Sequence, residues 1–470
     1  MNLRPGARGF GRVAVRAIPR RAACCILLAV TAAASVHAQE ATLGEAPAPS
    51  SVRYMSGPFA KALEDRVEAE VLFPRWKHRL EQRAPFLRDT RATLRPRTYY
   101  YDRRFPDDVR SEAWAIGGAI EYQRGWYRDR LSVGFAYYHS DKLLGDEDRG
   151  GTLLLAPGQE GYNVFGEAYA ALRYGGHEAT LYRQALDLPY VNRQDSRMTP
   201  NTFEAYRVEG RTEQVPVAGT VRYGLGYVDE IKRRNTDTFV SMSEAAGVEG
   251  ADRGLVLAGV AVQPDENLLI GAINHFVDDT LNIFYTEADH HHMPIEGVDI
   301  RYQGQFTHQQ SVGDDLLTGS DFATWVLGGR VATSYRGAIL QVAFSTTDTG
   351  ERIRSPYGAY PGYISLMQSD FNFAGMDAWL VGASFDFRTL GLTGLSMFAN
   401  YAEGKNAIDA ADGSSMPDQR EFNVTGDYRI EEGWLRGLWF RVRWSRLDFA
   451  AENQVTDELR AIVNYEIPLL

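Results

Sequence analysis

The chain has 470 residues, a formal charge of −11, 45 glycines and 12% aromatic residues, and its only two cysteines are Cys24 and Cys25. The acidic balance speaks against nucleic acid as a partner, the cysteine placement excludes a disulfide-stapled scaffold, and no run of about 18 or more apolar residues marks a membrane-spanning helix. A transmembrane barrel stays open, because only every second residue of a strand has to be apolar.

Residues 1–38 read as a signal peptide. Arg4, Arg8, Arg12, Arg16, Arg20 and Arg21 form a basic start, Ala22 to Ala34 is apolar, and Val36-His37-Ala38 fits a small-x-small cleavage site. Loss of those six arginines, with no acid among them, takes the charge from −11 to −17. Residues 39–85 read as an N-terminal extension, partly helical or flexible. Phe59, Leu63, Val67 and Val71 recur at helical spacing, and Pro74 and Pro85 punctuate the stretch after them.

From Thr90 onward the residues alternate with the period of a strand. Arg91, Arg95, Arg97, Tyr99, Tyr101 and Arg103 share one face of the first segment. Trp114, Ile116, Ile120 and Tyr122 oppose Ala113, Ala115, Ala119 and Glu121; Val133 and Phe135 oppose Gly134, Ala136 and Tyr138. The pattern returns at 298–307, 323–334, 338–345, 379–387 and 421–428. It is clearest near the end, where Leu438, Phe440, Val442 and Trp444 oppose Trp439, Arg441, Arg443 and Ser445, and it runs on through 458–467. One face is greasy and the other charged, as expected of lipid on one side and a water-filled pore on the other.

The count is about 16 to 18 strands, a porin-like number. Trp114, Trp126, Trp325, Trp379, Trp434 and Trp444 are candidates for the interfacial aromatic girdles. Long polar stretches at 139–161, 186–203, 232–253, 346–375 and 403–419 are expected to face outward, with one or two folding in to narrow the pore.

Several motifs point further. Phe86-Leu87-Arg88-Asp89 with Arg97-Thr98-Tyr99-Tyr100-Tyr101-Asp102-Arg103, the run Leu188 to Phe203 around Asp195-Ser196-Arg197, Ser355-Pro356-Tyr357-Gly358 with Asp370-Phe371-Asn372, and Arg460-Ala461-Ile462-Val463-Asn464-Tyr465 together resemble the OprD family of outer-membrane porins. The resemblance spans 86–470. It implies an all-β transmembrane antiparallel barrel of about 18 strands with infolded constriction loops. It further implies passive uptake of small water-soluble solutes, often carboxylates, along an inward row of arginines. A monomer is the expected state, with a trimer as the alternative; the partners are outer-membrane lipid, lipopolysaccharide and the solutes, with no cofactor.

Candidate pathway residues are Arg91, Arg95, Arg97, Arg103, Arg301, Arg330, Arg441, Arg443 and Arg460. A guanidinium stays charged and offers paired donors to a carboxylate that has shed part of its hydration, and weak sites in series let the solute move on. The competing role for each arginine is a structural ion pair. Arg193, Asp195, Ser196 and Arg197 are candidates for the constriction loop; turn-forming side-chain bonds are the plainer role for Asp195 and Ser196. His290-His291-His292 is not read as a metal site, because consecutive strand residues diverge. Asp146-Glu147-Asp148 lacks a calcium-loop pattern. No G-x-S-x-G, H-E-x-x-H or P-loop motif is present. A less selective or oligosaccharide-preferring pore, and a non-conducting barrel serving as adhesin or enzyme, are the competing readings.

Overall fold

The computed structural model describes residues 69–450 and 454–470. The leader and most of the extension, including Phe59, Leu63 and Val67 of the expected helix, lie outside these residues; Val71 is described and is not helical. Helix α1 (Pro74–Glu81) and the single turn α2 (Pro85–Arg88) each begin on proline, whose fixed φ and missing N–H suit a first helical position.

Next in the chain come β1 Arg91–Arg104, β2 Arg110–Gln123, β3 Leu131–Leu144, β4 Tyr162–Tyr174, β5 His177–Gln184, β6 Thr202–Val215 and β7 Gly219–Lys232. After the short β8 (Phe239–Ser241) and helix α3 (Met242–Ala246) come β9 Leu255–Asp265, β10 Leu268–Val277, β11 Leu281–Ile295, β12 Val298–Gln310 and β13 Ala323–Tyr335. The set ends with β14 Ala338–Thr347, β15 Asp377–Asp386, β16 Leu395–Lys405, β17 Gln419–Arg429, β18 Trp439–Phe449, β19 Gln454–Asn464 and the two-residue β20 (Ile467–Pro468).

Leaving aside β8 and β20, these form a closed antiparallel barrel of 18 strands. Each pairs with its neighbour in sequence, and β19 closes on β1 with Arg97 opposite Asn464, Tyr101 opposite Arg460 and Arg103 opposite Glu458. Closure removes every exposed sheet edge, which a bilayer would not tolerate. The connections alternate in length. One end carries tight turns such as Gly175-Gly176, whose φ values of 55° and 81° suit a two-residue hairpin. The other carries the long connections 145–161, 185–201, 233–254, 311–322, 348–376 and 406–418. The connection 311–322 is absent from the expected long stretches.

The alternating faces point as the sequence predicts. Trp114, Ile116, Ile120, Leu327, Leu340, Phe344, Trp379 and Phe422 are exposed on the outside, while Ala113, Ala115, Tyr138, Gln303 and Asn423 are buried within. On β18, Phe440 and Val442 are exposed, and Ser445 is fully buried. Arginine in place of Val442, which is 54% exposed, is expected to cost about 2–4 kcal/mol near the bilayer midplane. Urea titration of the barrel folded into vesicles measures it.

The interior is asymmetric. On β6 to β11 the inner wall toward the long-loop end is apolar: Phe203, Val228, Ile231, Leu255, Leu257, Val277, Leu281, Ile283 and Tyr285 are all buried. Loop residues Leu186, Val191, Met242 and Tyr357 pack on part of this wall, and Tyr190, Ile353 and Tyr360 on the rest. Burial of such side chains contributes roughly 1.5–3 kcal/mol each, so the infolded loops are fixed elements of the barrel. Loop residues Leu154, Leu155 and Met198 also pack on Tyr99 and Tyr101 of β1, and Tyr363, Ile364 and Phe371 on β14–β16. The described part of the extension joins the barrel near the β18–β19–β1 seam, where Leu72 N–H donates to the Pro468 carbonyl at 2.8 Å and Leu469 N–H to that of Ala92 at 2.7 Å.

Candidate functional site

Three strands build the seam wall. β1 supplies Arg97, Tyr99, Tyr101 and Arg103; β18 supplies Arg441 and Arg443; β19 supplies Glu458 and Arg460. Arg443 stands opposite Arg460 in register, and Arg460 opposite Tyr101. The inward row on β18 thus continues across the closure.

Most of these arginines have carboxylate partners. Arg441 Nε donates to Asp427 Oδ1 at 2.7 Å. Arg103 and Arg460 share Glu458, which is fully buried. Arg95 pairs with Glu121 at 2.9 Å and with Glu466 at 3.6 Å. Arg91 and Arg95 lie nearer the short-turn rim than Arg97, where Leu94 and Thr93 pair with Ile467 and Pro468. They therefore do not stand across from Arg441, Arg443 and Arg460, and the wall is shorter than one running from Arg91 would be. Arg301 and Arg330 are on β12 and β13, on the other side of the barrel. Arg301 pairs with Asp289 at 3.2 Å; Arg330 donates to Gln303 Oε1 at 2.7 Å and stacks over Tyr363 at 4.4 Å.

The 185–201 connection crosses to the seam wall. Asp195 Oδ1 accepts from Arg97 Nη1 at 2.6 Å, and the Ser196 carbonyl accepts from the Tyr99 hydroxyl at 3.3 Å. Arg97 also donates to the Arg197 carbonyl at 2.5 Å and to Asn464 Oδ1 at 2.6 Å. Burial would raise the Asp195 carboxyl, but the adjacent Arg97 holds it below its ordinary value. Arg193 pairs within its own loop with Asp187. On the far side, Tyr190 donates to Thr307 Oγ1 of β12 at 2.8 Å, and Asn192 Nδ2 donates to the Ala359 carbonyl at 3.1 Å. The loop spans the lumen and meets the 348–376 connection, narrowing the passage beside the arginines.

Among the described residues, Arg197, Arg234 and Arg443 have no ion pair with a carboxylate. Arg197 is buried, donates to the Thr152 carbonyl at 2.8 Å and lies 5.1 Å over the Tyr101 ring. Arg234 donates to Ser196 Oγ at 2.6 Å, and Arg443 to Thr425 Oγ1 at 3.1 Å. All three feel the positive charge of Arg460. Burial, and then the like charges of Arg197 and Arg460, push Arg234 down to about 9. It remains a cation at neutral pH, in a setting that a nearby anion relieves. Arg234 has no place in the strand alternation because it lies beyond the end of β7. The run Lys232-Arg233-Arg234 at the mouth of a long connection is the signal that could have found it.

The His290–His292 run diverges: His290 stacks on Tyr302 with ring centres 6.4 Å apart, whereas His291 Nε2 lies 2.8 Å from Asp299.

A lipid-facing barrel, a charged lumen and loops that narrow it define an outer-membrane channel for small solutes, in which the long connections face outward and the short turns the periplasm. The profile described as "outer membrane porin, OprD family" matches residues 84–469. The chain belongs to the OprD family of outer-membrane porins; such proteins are channels and not enzymes. It is 25% identical over 405 residues to the porin-like protein GalP of Pseudomonas putida, covering 82% of this chain and 93% of that one. Its fold is similar to that of OccK9 (OpdG) of Pseudomonas aeruginosa, with a TM-score of 0.74 and 23% identity over 82% of this chain and all of the other. It is also similar to OpdK of the same organism, solved with vanillate, at a TM-score of 0.73 and 22% identity over 82% of this chain and 100% of that one.

Proposed function

We propose that this porin prefers small carboxylates and passes them along the seam wall, with Arg443, Arg197 and Arg234 as the principal stations. One observation carries the reading: these three guanidiniums lie around Arg460 and, among the described residues, none makes an ion pair with a carboxylate; Glu458, whose charge reaches Arg197 and Arg443, is already shared by Arg103 and Arg460. Cations crowded together in a confined space are unfavourable, and a passing carboxylate relieves that crowding; the half-buried Arg443 and Arg234 can donate to it, while the buried Arg197 adds to the field. Arg97, Arg103, Arg441 and Arg460, already paired with carboxylates, hold the wall and the loop in place and contribute to the field. Arg91 and Arg95 flank the periplasmic exit. Arg301 and Arg330, across the lumen, act as a secondary station.

The likeness to the vanillate-bound relative supports the fold alone; the carboxylate preference is argued from this chain's own arginines. On this reading the protein works as a single-chain channel whose leader directs export and is removed after Ala38. Liposome swelling with acetate, succinate, an aromatic carboxylate, arginine and a neutral sugar of similar size tests the preference. The carboxylates are expected to enter at least about fivefold faster than the sugar, a difference near 1 kcal/mol in the barrier. Equal rates would favour the unselective or oligosaccharide reading, and absence of any swelling a non-conducting barrel.

A further inference from the structure

The second infolded connection, 348–376, reaches the seam wall through residues 367–369 at its tip. Glu421 on β17 is fully buried on the inner face of the barrel. Its Oε1 accepts from the backbone N–H of Met367 at 2.8 Å and of Gln368 at 3.2 Å, and its Oε2 from that of Ser369 at 2.9 Å. Successive N–H groups turned toward one carboxylate make an anion-holding nest, here filled by a side chain of the wall. The neighbouring strands add to the grip. Gln368 Nε2 donates to Ser445 Oγ on β18 at 2.9 Å and to the Thr456 carbonyl on β19 at 3.1 Å. Ser369 Oγ donates to Gln419 Oε1 at 2.6 Å, and Arg460 Nη2 to the Met367 carbonyl at 3.1 Å.

The place of attachment matters. Ser445 is the next inward residue of β18 after Arg443, so the tip sits directly on the long-loop side of the unpaired arginine. Arg460 holds Glu458 and the Met367 carbonyl at once, which ties the charge network of the wall to the position of the tip.

We propose that Glu421 is the positioning residue of the constriction: its carboxylate clamps residues 367–369 against β17–β19 and so fixes the width of the passage at Arg443. The solute does not touch Glu421. Its effect runs entirely through the loop, and the inference requires only that the protein is a channel, whatever solute it prefers.

Single-channel recording of the purified chain in potassium chloride tests this. Glu421→Gln keeps the size of the side chain but turns an amide toward three backbone donors. It is expected to raise the open conductance about twofold, to replace one level by several interconverting sublevels, and to move the anion-to-cation permeability ratio toward one. A role confined to barrel stability would lower the temperature at which the folded band disappears on a gel and leave conductance and ratio where they were. Should Glu421→Gln fail to fold, Gln368→Ala removes the ties to Ser445 and Thr456 alone and is expected to show the same changes in smaller measure. Parental conductance, level structure and ratio in whichever of these variants folds overturn the proposal.

Discussion

Glutamine at position 443 is expected to cut carboxylate flux about tenfold while the flux of a neutral sugar stays within about twofold. A hydrogen bond to a charged group is worth about 1.5–3 kcal/mol, and because the solute meets several weak stations in series, the loss falls near the lower bound. Arg443 is the first choice because it donates to the Thr425 hydroxyl and, among the described residues, makes no ion pair with a carboxylate. Its neighbour on the same face behaves differently. Arg441 is paired with Asp427 through two bonds, at 2.7 and 3.0 Å, so Arg441→Gln leaves an unneutralised carboxylate in the lumen in addition to removing a cation. The two variants separate a transport role from a structural one. Liposome swelling with acetate and with the sugar, on matched amounts of folded protein, measures both; equal losses for the two solutes after Arg443→Gln would show general damage to the barrel.

The pair Arg97–Asp195 should give changes of opposite sign. Arg97→Gln removes a cation, releases Asp195 and breaks the bonds to the Arg197 carbonyl and Asn464; the passage gains negative potential. Asp195→Asn leaves Arg97 uncompensated, and the passage gains positive potential. At an effective dielectric constant of about 20 a unit charge some 4 Å away contributes about 4 kcal/mol, and salt in the lumen screens much of that. A shift of at least about threefold in the anion-to-cation permeability ratio is expected, downward for Arg97→Gln and upward for Asp195→Asn. Both should add current noise, because both loosen the 185–201 connection where it meets the seam. Reversal potentials across an asymmetric salt gradient give the two signs directly; shifts in the same direction would mean that the loop's position, and not its charge, dominates.

Much of the barrel is legible in the sequence alone. The alternation around Phe440 to Ser445 gives the orientation of β18, because one side of that strand meets lipid and the other water, and the two demand opposite chemistry. The same holds for β12 to β15, β17 and β19. It fails on the stretch from β6 to β11, for a physical reason. There the inner wall carries Phe203, Val228, Ile231, Leu257, Ile273 and Ile283 under infolded loops, so both faces are apolar and the period of two fades. In that region only the 188–203 motif, through its family resemblance, points to the barrel. Most of the arginines' acidic partners are not legible, because Asp195, Asp427 and, for Arg103, Glu458 come from other elements, and such pairing is a property of the closed barrel; Arg460 and Glu458, two apart on one face of β19, are the exception. Arg234 and Glu421 escape the sequence on similar grounds: one lies beyond a strand end, and the other is an ordinary inward glutamate until residues 367–369 fold onto it.

If unpaired arginines on the seam wall make this porin a carboxylate channel, acetate must outrun potassium through it. The zero-current potential of the purified protein across a planar bilayer, under a gradient of potassium acetate, reads that directly. The expected potential has the sign set by acetate permeating faster than potassium, and it falls markedly toward zero when Arg443 and Arg234 are both replaced by glutamine. A potential of the opposite sign, with potassium permeating faster through the parental channel, would contradict the carboxylate preference.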